Sequence, residues 1–215
     1  MARQDTRRER MHKEVDLLYK FYEGPNENEE SFSRTITIFG SARLSSGSRA
    51  CADAEEVARW AALAGFGIKT GGGGGVMRHA NKVAFESGAV SIGMGIALPQ
   101  EPEPEMNPFV ESGVTFHYFS VRKVGLFMET SAMVFLPGGF GTLDELFEVL
   151  TLVQTGKMKP LPIILIGKRF WRPLVRFLHK TLLSAGTISE EDLGLFTIED
   201  NPNTAILKII SRLDN

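Results

Sequence analysis

From Thr35 onward, short apolar runs alternate with stretches of helical periodicity: TITIFG, a helix around Ala50 to Ala64, FGIKTGG, a helix from Met77 to Ser87, then VSIGMGIALP. The rhythm continues through VTFHYF, a helix from about Val121 to Thr130, AMVFLP, a helix beginning at Thr142, PIILIG, a helix around Trp171 to Ser184, LFTI and a last helix from Asn203. Strand, helix, strand is the signature of parallel pairing, because two parallel neighbours need a crossover and a helix supplies it. The sequence therefore predicts an α/β fold, a doubly wound parallel sheet of about seven strands with helices on both faces. In such sheets ligands bind beyond the carboxyl ends of the strands, where the strand order reverses.

The 215 residues, 43% of them hydrophobic, suit one domain with a core of its own. Residues 1–33 stand apart as a charged arm ending in EGPNENEESFS, which leaves 34–215 as the α/β domain expected to bind a ligand. In the arm Met11, Val15, Leu18 and Tyr22 recur at helical spacing, a stripe that suits packing on its own domain or on a partner subunit better than a membrane surface. A net charge of -2 from 24 basic and 26 acidic residues carries no footprint for nucleic acid. Cys51 has no intramolecular partner for a disulfide, and His12, His79, His117 and His179 lack metal-ligand spacing, so no metal is expected. No apolar run is long enough to span a bilayer and MARQDTRRERMHKE lacks the apolar segment of a secretory signal, which points to the cytoplasm. The acidic insert PQEPEPEMNP, Pro99 to Pro108, reads as a loop over one edge of the sheet.

Three loops fall at carboxyl ends of strands: FGSAR (Phe39 to Arg43), TGGGGGVM (Thr70 to Met77) and PGGFGT (Pro137 to Thr142). None carries the G-x-G-x-x-G of a nicotinamide site, and the chain has neither a P-loop nor a G-x-S-x-G elbow. Gly138, Gly139 and Gly141 bare the backbone just before a helix, whose unpaired N–H groups and dipole favour an anion such as phosphate. The run Gly71 to Gly75 has a steric alternative, a flexible turn that lets a helix pack tightly. Thr142 to Glu145 matches a capping box, with Thr142 as cap and Glu145 reaching back. The apolar positions Leu143, Leu146, Phe147, Leu150 and Val153 leave Glu145 off the core side, free to face the loop. In YFSVRK, Arg122 and Lys123 are either solvated surface charges or, from their place at a strand end, donors to a phosphate or a planar base.

The pattern P-G-G-x-G-T-x-x-E from Pro137 to Glu145, with Arg122-Lys123 upstream and a glycine-rich stretch before that, resembles the LOG family of cytokinin riboside 5'-monophosphate phosphoribohydrolases, many once labelled lysine decarboxylases. The similarity runs from about Thr35 to Leu178. It implies a Rossmann-like fold, a homodimer or higher assembly, no cofactor, and hydrolysis of the N-glycosidic bond of a nucleoside 5'-monophosphate to a free base and ribose 5-phosphate. Carried over by position, it makes Arg122 and Glu145 the catalytic pair, with Gly40, Ser41, Gly73, Met77, Glu101, Lys123, Gly138, Gly139, Phe140, Gly141, Thr142 and Thr151 around the nucleotide. Glu145 would face the anomeric carbon as it turns positive, and Arg122 would orient the nucleotide or donate to the departing base. Where cytokinin-activating members have M-H-x-R-K this chain has FSVRK, so the expected substrates are purine or pyrimidine monophosphates more broadly. Two alternatives remain: a non-catalytic carrier of a nucleotide or pterin-type cofactor, and lysine decarboxylation through Lys123.

Overall fold

β1 (Thr35–Phe39) is buried at all five positions, as a strand covered on both faces must be. In the structure, a computed structural model describing residues 6–23, 34–100 and 104–214, it lies at the centre of the sheet. The other strands are β2 (Gly67–Thr70), β3 (Ser91–Ile96), β4 (Ser112–Phe116), β5 (Ala132–Phe135), β6 (Ile163–Ile166) and β7 (Thr197–Glu199). Their order is β4-β3-β2-β1-β5-β6-β7 and every pairing is parallel. The chain runs outward from β1 to one edge and then returns to pair β5 with the other side of β1, so the strand order reverses between these two. The doubly wound sheet of seven strands read from the sequence is thus the observed architecture.

Two apolar cores cover the sheet. On one face Ile36, Ile38 and Val134 meet α2 (Arg49–Leu63), α3 (Gly75–Glu86) and α7 (Pro202–Leu213). On the other, Phe39, Met133 and Phe135 meet α1 (Arg7–Glu23), α4 (Phe119–Phe127), α5 (Phe140–Gln154) and α6 (Lys168–Phe177), which runs on into a π-helical turn at Leu178–Leu183. Among the described residues no helix is long and apolar enough to cross a membrane. Helix starts fall up to three residues ahead of the sequence reading, α3 at Gly75 rather than Met77 and α6 at Lys168 rather than Trp171. α4 opens at Phe119 rather than Val121, and α5 opens at Phe140 with Gly139 as its N-cap, so Thr142 is no cap and the capping box does not form.

The arm helix α1 lies on its own domain: Leu18 is buried, and Val15 and Tyr22 pack on the second core. The stripe expected to serve either the domain or a partner therefore serves the domain, with Met11 left part-exposed at its end.

Under this helix Lys69, fully buried in β2, donates from Nζ to Tyr22 Oη at 2.8 Å, to the carbonyls of Gly125 and Glu129 at 3.4 Å each, and to that of Met128. Burial pushes the Lys69 ammonium down to about 7, with the charge of Glu129 opposing it. Because the native pKa lies below the unfolded one, the unfolded chain binds more protons between the two values, and stability rises with pH there. Denaturant unfolding of the parent and of Lys69→Met at pH 7, 8 and 9 should show the parent gaining on the variant as pH rises, by up to about 1.4 kcal/mol per pH unit. Parallel curves would show that the ammonium is as well solvated by its four oxygens as by water.

Candidate functional site

At the point where strand order reverses, the loops after β1, β2 and β5 diverge and leave a cleft of about 540 Å³, a size suited to a small molecule. Gly40 to Arg43 form one wall, Gly71 and Met77 the floor toward β2, and Gly139 to Leu143 the opposite wall, with Arg122 and Glu145 at the back. The loop after β1 is held by Ser41, whose backbone N–H donates to the Pro137 carbonyl at 3.2 Å and whose carbonyl accepts from Val76 N–H at 3.1 Å. All three loops singled out in the sequence therefore border one cleft.

Arg122 reaches the cleft from α4 and Glu145 from α5, and they are only 8% and 7% exposed. Arg122 Nη1 donates to Glu145 Oε1 at 3.0 Å and Arg122 Nε to the Met94 carbonyl at 2.8 Å. A Cβ on Gly71 would stand 2.3 Å from Arg122 Nη2, so the first glycine of the run makes room for the guanidinium. Gly75, at φ +54° and with a Cβ position 2.3 Å from the Ser41 carbonyl oxygen, makes room for the neighbouring loop. The steric reading of the run holds, then, but part of what it accommodates is the site itself.

Burial pushes the Glu145 carboxyl up to about 7, against the pull of Arg122. Burial likewise lowers Arg122, with Glu145 drawing it back up. The pair is a carboxyl poised near neutrality beside a fixed cation. The N-cap of α5 is Gly139, which has no side chain to cap with, so the N–H groups of the first helical turn are left for a ligand.

The remaining expected residues divide. Gly40, Ser41, Met77, Phe140, Gly141 and Thr142 line the cleft, Phe140 standing 93% exposed at its mouth. Gly73 and Gly138 shape it from behind: a Cβ on Gly73 would meet Met77 Cε at 2.8 Å, and one on Gly138 would meet Thr142 Oγ1 at 2.1 Å. Lys123 points elsewhere, pairing with Asp144 at 3.2 Å and with Glu148. Thr151 lies on a second depression that adjoins the cleft at Phe140 and Leu143, its hydroxyl donating to the Phe147 carbonyl at 2.7 Å. Glu101 lies outside the described residues.

Sequence reasoning missed Arg43, an exposed cation on the cleft wall that stood inside the quoted FGSAR, and Gly71. It also missed a buried polar cluster that pins the glycine run. Thr70 Oγ1 donates to Asn81 Oδ1 at 2.6 Å and accepts from Gly72 N–H at 2.9 Å, while Asn107 Nδ2 donates to Asn81 Oδ1 at 3.0 Å and to the Gly73 carbonyl at 3.1 Å. Asn107 comes from the acidic insert, whose end does lie over this edge.

A family model described as "Possible lysine decarboxylase" matches residues 77–209. A cytokinin riboside 5'-monophosphate phosphoribohydrolase of Oryza sativa subsp. japonica is 28% identical over 85% of this chain and 75% of its own. One of Rhodococcoides fascians is 28% identical over 68% and 74%. Against others the chain spans about half of the relative: 52% of an Arabidopsis thaliana protein of the same name, 30% identical over 52% of this chain, and 56% of a second rice relative. Among solved structures, the molybdenum cofactor carrier protein of Chlamydomonas reinhardtii superposes with a TM-score of 0.62 at 20% identity, covering 85% of this chain and 99% of its own. The molybdenum cofactor binding protein of Rippkaea orientalis gives 0.57 at 20%, covering 84% and 96%. At that identity the two structures speak for the fold alone. Kinship rests on the sequence matches: with more than half of its length inside the family model, this chain belongs to the LOG family, whose older description is lysine decarboxylase.

Proposed function

We propose that the protein hydrolyses the N-glycosidic bond of nucleoside 5'-monophosphates, releasing a free base and ribose 5-phosphate. What carries the reading is one juxtaposition: a buried carboxyl held by Arg122 and an uncapped helix start open onto the same cleft. The N–H groups of the first turn of α5, with Arg43 at the wall, suit a phosphate. The carboxylate of Glu145 suits the anomeric carbon at the other end of a ribose 5-phosphate. As the C1'–N bond breaks, the base leaves with the electron pair and positive charge gathers on C1' and the ring oxygen; the carboxylate stabilises it while water adds to C1' and the water's proton passes on toward the base. Arg122 holds the carboxylate in place and keeps a donor face toward the cleft.

In this reading Arg122 and Glu145 are the catalytic pair, Gly139, Phe140, Gly141 and Thr142 hold the phosphate, and Gly40, Ser41 and Met77 bound the nucleotide. Lys123 supports α5 through Asp144 and Glu148 rather than touching ligand. Those two carboxylates favour its charged form, the opposite of what a lysine forming a Schiff base with a substrate or cofactor needs, which weighs against decarboxylation. A carrier of a nucleotide or pterin cofactor, the alternative that the structural neighbours' names bring back, would keep the glycine loops and have no need of a buried carboxyl tuned toward neutrality. We further propose a cytoplasmic homodimer or higher homo-oligomer, with 1–33 as an arm on a domain of 34–215; light scattering at micromolar concentration should give at least twice the chain mass, and a monomer would refute it.

AMP should be cleaved at least about a hundredfold faster than adenosine, because the α5 start acts only on a phosphate; equal rates would remove the phosphate site, and AMP binding without release of ribose 5-phosphate would favour the carrier.

Glu145→Gln keeps an acceptor for Arg122 but no charge, so turnover should fall by roughly a hundredfold or more while the protein stays folded. Arg122→Ala should lower it too. Only the ionised carboxyl works, so kcat/KM of the parent should fall on acidification below about 7, the value to which burial raises Glu145. The residual activity of Glu145→Gln should lack that limb and keep only the titration of the substrate phosphate near pH 6. A Gln variant with parental turnover and pH profile would leave the reading without its catalyst.

A further inference from the structure

One face of α1 reaches both ends of the helix that carries Arg122. Glu14, Leu18 and Tyr22 recur every four residues, and eight residues of helix rise about 12 Å, close to the length of the nine-residue α4. At the amino end, Tyr118 is the N-cap of α4 and makes no side-chain capping bond of its own. Glu14 supplies the cap from outside: Oε2 accepts from Tyr118 N–H at 3.0 Å, and Oε1 accepts from His117 N–H at 2.6 Å and lies 2.9 Å from His117 Nδ1. A carboxylate only 6% exposed, with its charge at the positive end of a helix dipole, is an expensive group to bury on an otherwise polar arm unless those bonds compensate it.

At the carboxyl end, Tyr22 Oη donates to the Gly125 carbonyl at 2.6 Å and accepts from Lys69, whose ammonium also holds the Met128 and Glu129 carbonyls beyond the helix. Between the two ends Leu18 sits on Gly125, where a Cβ would come within 3.0 Å of Leu18 Cδ1. The arm therefore grips α4 by an anion at its start, a hydroxyl at its end, and a leucine against a glycine between them, with Lys69 of β2 bonded to the same hydroxyl. Arg122 projects from the gripped segment, one turn before Gly125 and one turn after Tyr118, and lines the cleft.

We propose that α1 is a clamp that fixes the position of α4 and thereby sets the Arg122 guanidinium on Glu145, with Glu14 as its positioning residue. The kinetic consequence rests on the hydrolase reading; the clamp itself does not. If Arg122 moves by an ångström, its bond to Glu145 and its donors toward the cleft are lost, and misplacement of that size lowers turnover without unfolding the protein.

The test uses the full chain with Glu14→Ala, Glu14→Gln and Tyr22→Phe, each assayed on AMP well below its melting temperature and each repeated in an Arg122→Lys background. Glu14→Ala should lower kcat by roughly tenfold with KM changed by less than about twofold. Glu14→Gln, which keeps one acceptor oxygen, should fall between it and the parent. In the Arg122→Lys background the same changes should cost little further, because they act through Arg122. Amide hydrogen exchange on the same proteins should quicken over residues 119–127 and not over 140–154. Lower melting with parental kcat, an equal fall in both backgrounds, or unchanged exchange over 119–127 would each overturn the clamp. Should Glu14→Ala fail to fold, Tyr22→Phe reads the same outcomes from the other end of α4. A parent that binds AMP but never turns it over would sink the hydrolase reading alone, with exchange still deciding on the clamp.

Discussion

Burying a guanidinium and a carboxylate together costs both their hydration, and their attraction returns it only if the remaining donors and acceptors are also placed. The Arg122–Glu145 pair meets that condition through elements from distant parts of the chain. β3 supplies the Met94 carbonyl for Nε, the glycine run after β2 leaves space at Nη2, and α4 and α5, the helices before and after β5, bring in the two side chains on one face of the sheet. Remove either side chain and the other is left as an uncompensated buried charge, the kind of loss that costs several kcal/mol. The parallel sheet, the bare loops and the placement of α4 can all be understood as what this one contact demands.

The same dependence explains the division of labour along α4 and α5. Adjacent residues on a helix point about 100° apart, so if Arg122 enters the cleft Lys123 cannot, and it turns to the acidic side of α5 instead. Thr151 lies six residues past Glu145, about 9 Å farther along the helix, and falls on another depression. A motif of nine residues can therefore be shared while only some of its neighbours reach the cleft.

Much of the fold was legible because it is locally encoded: seven apolar runs gave seven strands, and the loops flagged for their glycines all reached the cleft. The start of α5 was not, because Thr-Leu-Asp-Glu is a good local cap and only the distant Arg122 gives Glu145 a reason to turn inward. Gly71 read as flexible because its tenant arrives from 51 positions later (122 − 71). Glu14 and Lys69 carried no signal in the sequence, because their partners lie 103 and 47 or more residues away. What sequence pattern cannot carry is this long-range pairing of single charges.

The central claim is that the helix start and the Arg122–Glu145 pair serve the two ends of one ligand. A crystal structure of the Glu145→Gln variant with AMP tests it most directly. The account predicts phosphate oxygens accepting hydrogen bonds from the N–H groups of the first turn of α5, and C1' of the ribose facing the side chain of residue 145. AMP bound with its base at the α5 start, or seated away from residue 145 altogether, would contradict it.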